Sequence, residues 1–222
     1  MDLSGVKIMW TNYPNMPTGA SASEQLYARL VDFGRRHGIL ICNDNPYSFI
    51  LNDRPLSILA QPGAKECCLE LNSLSKAHNM AGWRIGMVAA DAQVISEILK
   101  VKSQMDSGMF KPLQLAAVQA LAQGPEWFAE LNEEYRRRRV LAGRIFDLLG
   151  AEYDHNSTGM FLWGRVGKSA GEQLSDRILH EAGVFITPGF IFGKNGEDYI
   201  RISLCAKPQV LEEAYERILT IL

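Results

Sequence analysis

The sequence predicts an α/β protein: part of a mostly parallel sheet with crossover helices, followed by a smaller α+β domain. Two observations predict this. In the first half, short apolar runs alternate with amphipathic helical stretches and polar turns, the order that parallel strands joined by helices leave in a sequence. In the last third, short strand-like runs are interleaved with two helical patterns, and no internal repeat or low-complexity segment appears.

Residues 6–10 read as a short buried strand, and the Pro/Asn/Gly cluster after them as a turn. Residues 23–37 place Leu26, Leu30, Val31 and Phe33 on one stripe of a helix. Residues 39–42, 67–71 and 85–89 read as further strands. Val94, Ile95, Ile98, Leu99 and Val101 mark a helix, and Pro112 opens another that runs to about Gln123. After the break at Gly124-Pro125, residues 126–150 form one long helix, with Leu131, Tyr135, Leu141, Ile145 and Leu148 toward a core. Arg136, Arg137, Arg138 and Arg139 occupy consecutive helix positions that point around most of the circumference. That predicts a solvated face and not an anion site. Strands are expected at 160–166, 184–187 and 199–204, and helices at 171–182 and 208–222. The expected organisation is a sheet-bearing part over 1–125, a connecting helix over 126–150 and a small domain over 151–222.

With 222 residues, 47% hydrophobic and 22% charged, the chain can bury a substantial core. A formal net charge of -2 supplies no electrostatic drive toward nucleic acid or an anionic membrane. No apolar run approaches the roughly 20 residues that span a bilayer, and residues 1–7 lack the charged and apolar regions of a signal peptide. Cys42, Cys67, Cys68 and Cys205 all lie in apolar strand-like runs without metal or disulfide spacing. Buried reduced thiols and a cytoplasmic protein are expected.

The chemistry-bearing residues fall in four motifs. Lys76 lies in Ser73-Leu74-Ser75-Lys76-Ala77-His78-Asn79-Met80-Ala81-Gly82-Trp83-Arg84. Upstream, Asn43-Asp44-Asn45-Pro46-Tyr47 follows an apolar run, and Asn12-Tyr13-Pro14-Asn15-Met16-Pro17-Thr18-Gly19 follows another. Near the end stands Tyr199-Ile200-Arg201-Ile202-Ser203. Asp44 is placed at the C-terminal end of a parallel strand, where open α/β sheets bind ligands; by itself the segment also reads as a polar turn. Arg201 shares a strand face with Tyr199, opposite Ile200 and Ile202, and needs a partner there: a bound carboxylate or a structural ion pair. His78 reads as a structural or solvated histidine, and Ser75 as support for the turn.

In this order and at this spacing the motifs resemble the fold-type I aminotransferases dependent on pyridoxal phosphate (PLP), the class I/II group. The stretch around Lys76 looks closest to the alanine, aspartate and LL-diaminopimelate subgroups. The resemblance covers nearly the whole chain but begins in the middle of the family's large domain. It therefore implies the C-terminal part of such an enzyme of amino-acid metabolism, a fragment inactive alone, whose full-length parent is a homodimer. It implies that Lys76 forms an imine with PLP and shuttles the substrate α-proton. Asp44 then keeps the pyridine nitrogen protonated, Tyr47 donates to the phenolic oxygen, and Ser73 with Arg84 holds the phosphate. Arg201 clamps the carboxylate of an amino-acid or 2-oxo-acid substrate, with Asn15 beside it; no metal is implied. Thr187-Pro188-Gly189 and Phe192-Gly193 resemble the loop that precedes the Arg201 strand. One position departs from the family: Met16 stands where Asn is usual. Its thioether accepts weakly and cannot donate, and in an extended segment the adjacent Asn15 points the other way. A PLP-dependent lyase and an effector-sensing domain of a transcriptional regulator share this fold and remain the alternatives.

Overall fold

The computed structural model describes residues 2–222. They form two compact units, one of the segment up to Pro14 with Ser21–Phe128, the other of Asn15–Ala20 with Ala129–Leu222. Among the described residues, no helix is long and apolar enough to cross a membrane.

The first unit is built on a sheet of β1 (Ile8–Asn12), β2 (Leu40–Asp44), β3 (Cys68–Ser73) and β4 (Gly86–Ala90), in that spatial order. β1, β2 and β3 are parallel, and β4 closes the sheet antiparallel to β3. The first three strands run about two residues further into polar sequence than their apolar runs suggest. The reason is pairing: Thr11 meets Asn43 and Asn12 meets Asp44, and the end of β3, Asn72-Ser73, pairs with Met87 and Gly86 of β4. Helix α1 (Glu24–His37) begins at Ser23, whose hydroxyl accepts from the Leu26 amide, and ends at Gly38 in the left-handed conformation. It buries Tyr27, Leu30, Val31 and Gly34, a stripe rotated slightly from the expected one, with Leu26 and Phe33 at its margins. Against it pack Ile39, Ile41, Ile58, Cys67 and Cys68. The opposite sheet face carries Ile8, Trp10 and Val88, all exposed.

A polar row crosses the α1 side of this sheet. Thr11, Asn43 and Glu70 are neighbours by register. The Thr11 hydroxyl donates to Asn43 Oδ1 at 3.1 Å, and Asn43 Nδ2 donates to Glu70 Oε2 at 3.2 Å and to the Tyr27 hydroxyl at 3.3 Å. Glu70 also accepts from the Ile58 amide at 3.1 Å and from Asn72 Nδ2 at 3.1 Å. Asn43 and Glu70 are buried, so this row satisfies groups that water cannot reach. Burial, and then the charge of Glu70, pushes the Tyr27 hydroxyl up to about 12.

α2 (Leu74–Ala77) follows β3 directly; α3 (Ala92–Met105), α4 (Lys111–Leu121) and the start of α5 (Pro125–Leu148) complete the first unit.

The second unit contains the rest of α5, α6 (Gly171–Ala182), α7 (Pro208–Leu219) and an antiparallel sheet. Its strands are β5 (Glu152–Tyr153), β6 (Phe161–Arg165), β7 (Thr187–Pro188) and β8 (Tyr199–Ser203), in the spatial order β5-β6-β8-β7. Phe146, Leu162, Ile178, Ile200, Leu204 and Ile218 form its fully buried core. The buried face of α5 includes Ala142, Gly143 and Phe146, because small residues let the sheet approach where a reading of its leucines alone does not point. Three expectations need correction here. Arg138 and Arg139 are not merely solvated: Arg138 donates to the Leu204 carbonyl at 3.2 Å and Arg139 to the Ser157 carbonyl at 3.1 Å. Cys205 is exposed, because the chain leaves β8 at Ser203 and turns, whereas Cys42, Cys67 and Cys68 are buried free thiols. The strand expected at 184–187 is reduced to β7, two residues long.

The Asn15–Ala20 loop is pinned within the second unit. The Gly19 carbonyl accepts from the Thr158 amide at 2.9 Å and from its hydroxyl at 2.9 Å. Gly19 has φ 72°, and a methyl there would come within 2.7 Å of Ser157 Cβ and 2.9 Å of the Thr158 carbonyl oxygen. Gly19→Ala is therefore expected to cost about 2 kcal/mol or more, measured by urea denaturation, through both the left-handed backbone and the clash. Wild-type stability in this variant would show that the loop is not held as described.

Candidate active site

Three strand ends deliver polar side chains to one end of the first unit's sheet. Asn12, Asp44 and Ser73 close β1, β2 and β3, and alternation puts all three on the same face. Asn12 Nδ2 donates to the Asp44 carbonyl at 2.8 Å, which fixes the end of β2 against β1. On the other side, the Asn45 amide donates to the Leu71 carbonyl at 2.8 Å. The Asp44 side chain is reached by solvent, yet enough protein surrounds it that desolvation raises its carboxyl above the usual range. Tyr47 is buried in the turn that follows, with the Ile50 amide on its carbonyl at 3.0 Å.

Lys76 is half-buried on α2, one short turn beyond β3. So short a helix cannot persist unaided, and its supports are visible. Ser73 Oγ caps it, accepting from the Ser75 amide at 3.0 Å and donating to Ser75 Oγ at 2.8 Å. The Leu74 amide donates to the Ile85 carbonyl at 3.2 Å, and Trp127 Nε1 donates to the Ala77 carbonyl at 2.8 Å. His78 packs edge-on against Phe128, which stacks on Phe49. Burial holds the His78 imidazole below its ordinary range, in keeping with a packing role. Arg84 ends the following 3-10 turn in the left-handed region at φ 54°, with its guanidinium folded back on the Ala81 carbonyl at 3.0 Å. Left-handed backbone at an arginine is uncommon, and such outliers gather at functional sites.

One unit thus brings together Asp44, Ser73, Lys76 and Arg84, with Tyr47 in the adjoining turn. The donor set is one carboxylate seated where a cation would relieve its desolvation, one amine, hydroxyls and one guanidinium. It suits a group that combines a protonated ring nitrogen, a carbonyl and a phosphate dianion, as PLP does.

Arg201, Met16 and Asn15 belong to the second unit. Arg201 rises from the middle of β8 between Trp163 of β6 and Thr187 of β7. Its neighbours Ile200 and Ile202 point into the core, as alternation requires. The guanidinium carbon lies 4.4 Å from the Phe161 ring centroid and 4.6 Å from that of Phe192, and Nη1 donates to Met16 Sδ at 3.4 Å. Tyr199, on the same face, stacks on Trp163 at 5.0 Å. Asn15 Oδ1 accepts from the Thr18 hydroxyl at 2.7 Å and from its amide at 3.4 Å, so what Asn15 can offer a ligand is its side-chain NH2. The sequence reading did not single out Asn12, Trp127, Phe161 or Phe192. Asn12 and Phe192 lay inside motifs already noticed, whereas nothing local marks Trp127 or Phe161.

The family model for aminotransferase class I and II matches residues 2–218. LL-diaminopimelate aminotransferase of Natranaerobius thermophilus is 41% identical over 219 residues, 97% of this chain and 57% of the relative. The Aquifex aeolicus enzyme of the same name is 39% identical over 96% of this chain and 56% of its own length. Among solved structures, substrate-bound BacF of Bacillus subtilis superposes with a TM-score of 0.91 at 34% identity, covering 99% of this chain and 57% of that one. An aromatic aminotransferase from Pyrococcus horikoshii gives 0.88 at 32% identity, covering 97% and 59%. The chain spans somewhat more than half the length of the relatives it matches. With its family model matched almost end to end and its mixed α/β fold shared with these structures, the chain belongs to the class I and II aminotransferases.

Proposed function

We propose that this chain carries the reactive-lysine portion of a PLP-dependent aminotransferase, which moves an amino group between an amino acid and a 2-oxo acid. The observation that carries this reading is the gathering of Asp44, Ser73, Lys76 and Arg84 at one end of a mostly parallel sheet, on a family member. When bound, PLP supplies an electron sink for the carbanion at the substrate's α-carbon. Asp44 keeps the ring nitrogen protonated, and the energy lost by desolvating its carboxylate is recovered when that cation arrives. Ser73 and Arg84 hold the phosphate, and Tyr47 donates to the phenolic oxygen. Lys76 Nζ, carried on a helix clamped at both ends, takes the α-proton from one face of the substrate and returns it. Arg201 binds the substrate carboxylate, with the Asn15 NH2 beside it. The whole enzyme works as a homodimer in this reading. The relatives named LL-diaminopimelate aminotransferase make a diaminodicarboxylic acid the first amino donor to assay.

Loading the protein with PLP, reducing with borohydride and mapping the peptides is expected to place the pyridoxyl group on Lys76. Label on another lysine would overturn the assignment.

A second expectation concerns Asp44. Its carboxyl is raised in the folded chain, so between the unfolded carboxyl value of about 3.9 and the raised one the native state binds more protons. Stability then falls as pH rises through that window, and the ionised group is a net cost at neutral pH. Asp44→Asn is expected to stabilise the ligand-free protein at pH 7 in urea denaturation, with the advantage fading below about pH 4. The same variant should take up PLP less tightly. An advantage independent of pH would contradict this origin.

A further inference from the structure

The structure gives Met16 a specific contact. Its sulfur lies 3.4 Å from Nη1 of Arg201, while Phe161 and Phe192 take the guanidinium at 4.4 and 4.6 Å. We propose that Met16 is a positioning residue for Arg201: its thioether accepts one Nη1–H and, with the two rings, sets the plane in which the guanidinium meets a carboxylate. This rests on the reading of Arg201 as the carboxylate clamp.

Three features support the role. First, the contact is prepared by the backbone. Gly19 is tied to Thr158, Asn15 N donates to the Ala20 carbonyl at 2.8 Å, and Gly19 N donates to the Asn15 carbonyl at 2.8 Å. The loop that carries Met16 is thereby closed on itself and anchored beside β6. Second, Phe161 lies on β6 opposite Ser203, two residues along from the Trp163–Arg201 pair and on the same face, and Phe192 ends the 3-10 turn after β7. The guanidinium is therefore oriented by three segments of one unit. Third, none of these three groups is charged. A carboxylate partner would compete directly with the substrate for the guanidinium, whereas a thioether is a weak acceptor and an aromatic face engages the guanidinium's plane and not its N–H edge. Orientation is thus supplied with little loss of affinity for an incoming anion.

The experiment needs no turnover. Protein with 15N-labelled arginine is titrated with 2-oxoglutarate while the Arg201 side-chain N–H signals are followed by NMR, for wild type, Met16→Leu and Met16→Gln. Met16→Leu matches Met in volume and apolar character but has no acceptor. Met16→Gln is polar but has an acceptor oxygen at similar reach. The role as acceptor is expected to make Leu weaken the carboxylate by about three- to tenfold, the range for losing one modest hydrogen bond, and to leave Gln within about twofold of wild type. A packing role alone requires the reverse order, with Leu neutral and Gln harmful, and that order would overturn the proposal. If Met16→Leu does not fold, near-wild-type binding by Met16→Gln supports the proposal and a tenfold loss overturns it. Absence of any Arg201 response in the wild type would instead remove the clamp reading itself, and the proposal with it.

Discussion

The buried carboxylate of Glu70 is the constraint on which the first unit depends. It lies on β3, between parallel β2 and antiparallel β4, and accepts from Asn43, Asn72 and the Ile58 amide. Removing Glu70 would take the acceptor from the buried Ile58 amide and one of the two acceptors from Asn43 Nδ2, and an unsatisfied buried polar group costs about 1–3 kcal/mol. Asn43 passes the constraint on: its oxygen accepts from Thr11 and its nitrogen also meets Tyr27. A single polar row therefore ties β1, β2, β3, α1 and the turn at Ile58–Ala60 together.

What this row sets is the strand ends. Asp44 follows Asn43, and Ser73 follows Asn72, so the two residues that bracket the candidate site are each bonded in sequence to a member of the row. Alternation turns the row toward α1 and its neighbours toward the opposite face. The structural residues and the candidate ligand-binding residues are thus consecutive in sequence and opposite in space. α2 then starts from a fixed point, capped by Ser73, and Trp127 and Ile85 hold the short turn that bears Lys76. Arg201 follows the same principle in the second unit, with Ile200 and Ile202 burying one strand face so that the other can present a cation.

The strands and helices were largely legible because they are written as apolar periodicity. The ends of β1, β2 and β3 were not, since Thr11-Asn12, Asn43-Asp44 and Asn72-Ser73 are polar and read as turns. Only pairing makes them strand: Thr11-Asn12 lies beside Asn43-Asp44, and Asn72-Ser73 beside Met87 and Gly86 of β4, partners that a local reading does not supply. The Glu70 row was invisible for the same reason: a Glu between two leucines reads as an outward-facing position. The residues Asp44, Ser73, Lys76, Arg84 and Arg201 were nameable from their motifs, yet their supports were not. Trp127 reaches Ala77 across 50 positions, and Phe161 meets Arg201 across a strand pair, so neither leaves a local signal. Arg138 and Arg139 erred in the opposite direction: a run of like charge reads as solvated until folding brings carbonyls within reach.

Amide hydrogen exchange on Glu70→Ala tests most directly whether this row holds the strand ends. The Ile58 amide loses its acceptor and must exchange faster whatever else happens. If the row holds the ends of β2 and β3, the Asn45 amide on the Leu71 carbonyl will also lose about tenfold or more of its protection, although Glu70 does not touch it, while amides of the second unit keep theirs. Loss confined to Ile58, with Asn45 as protected as in the wild type, would mean that the strand ends are held by their ladder alone and that Glu70 is a local accessory.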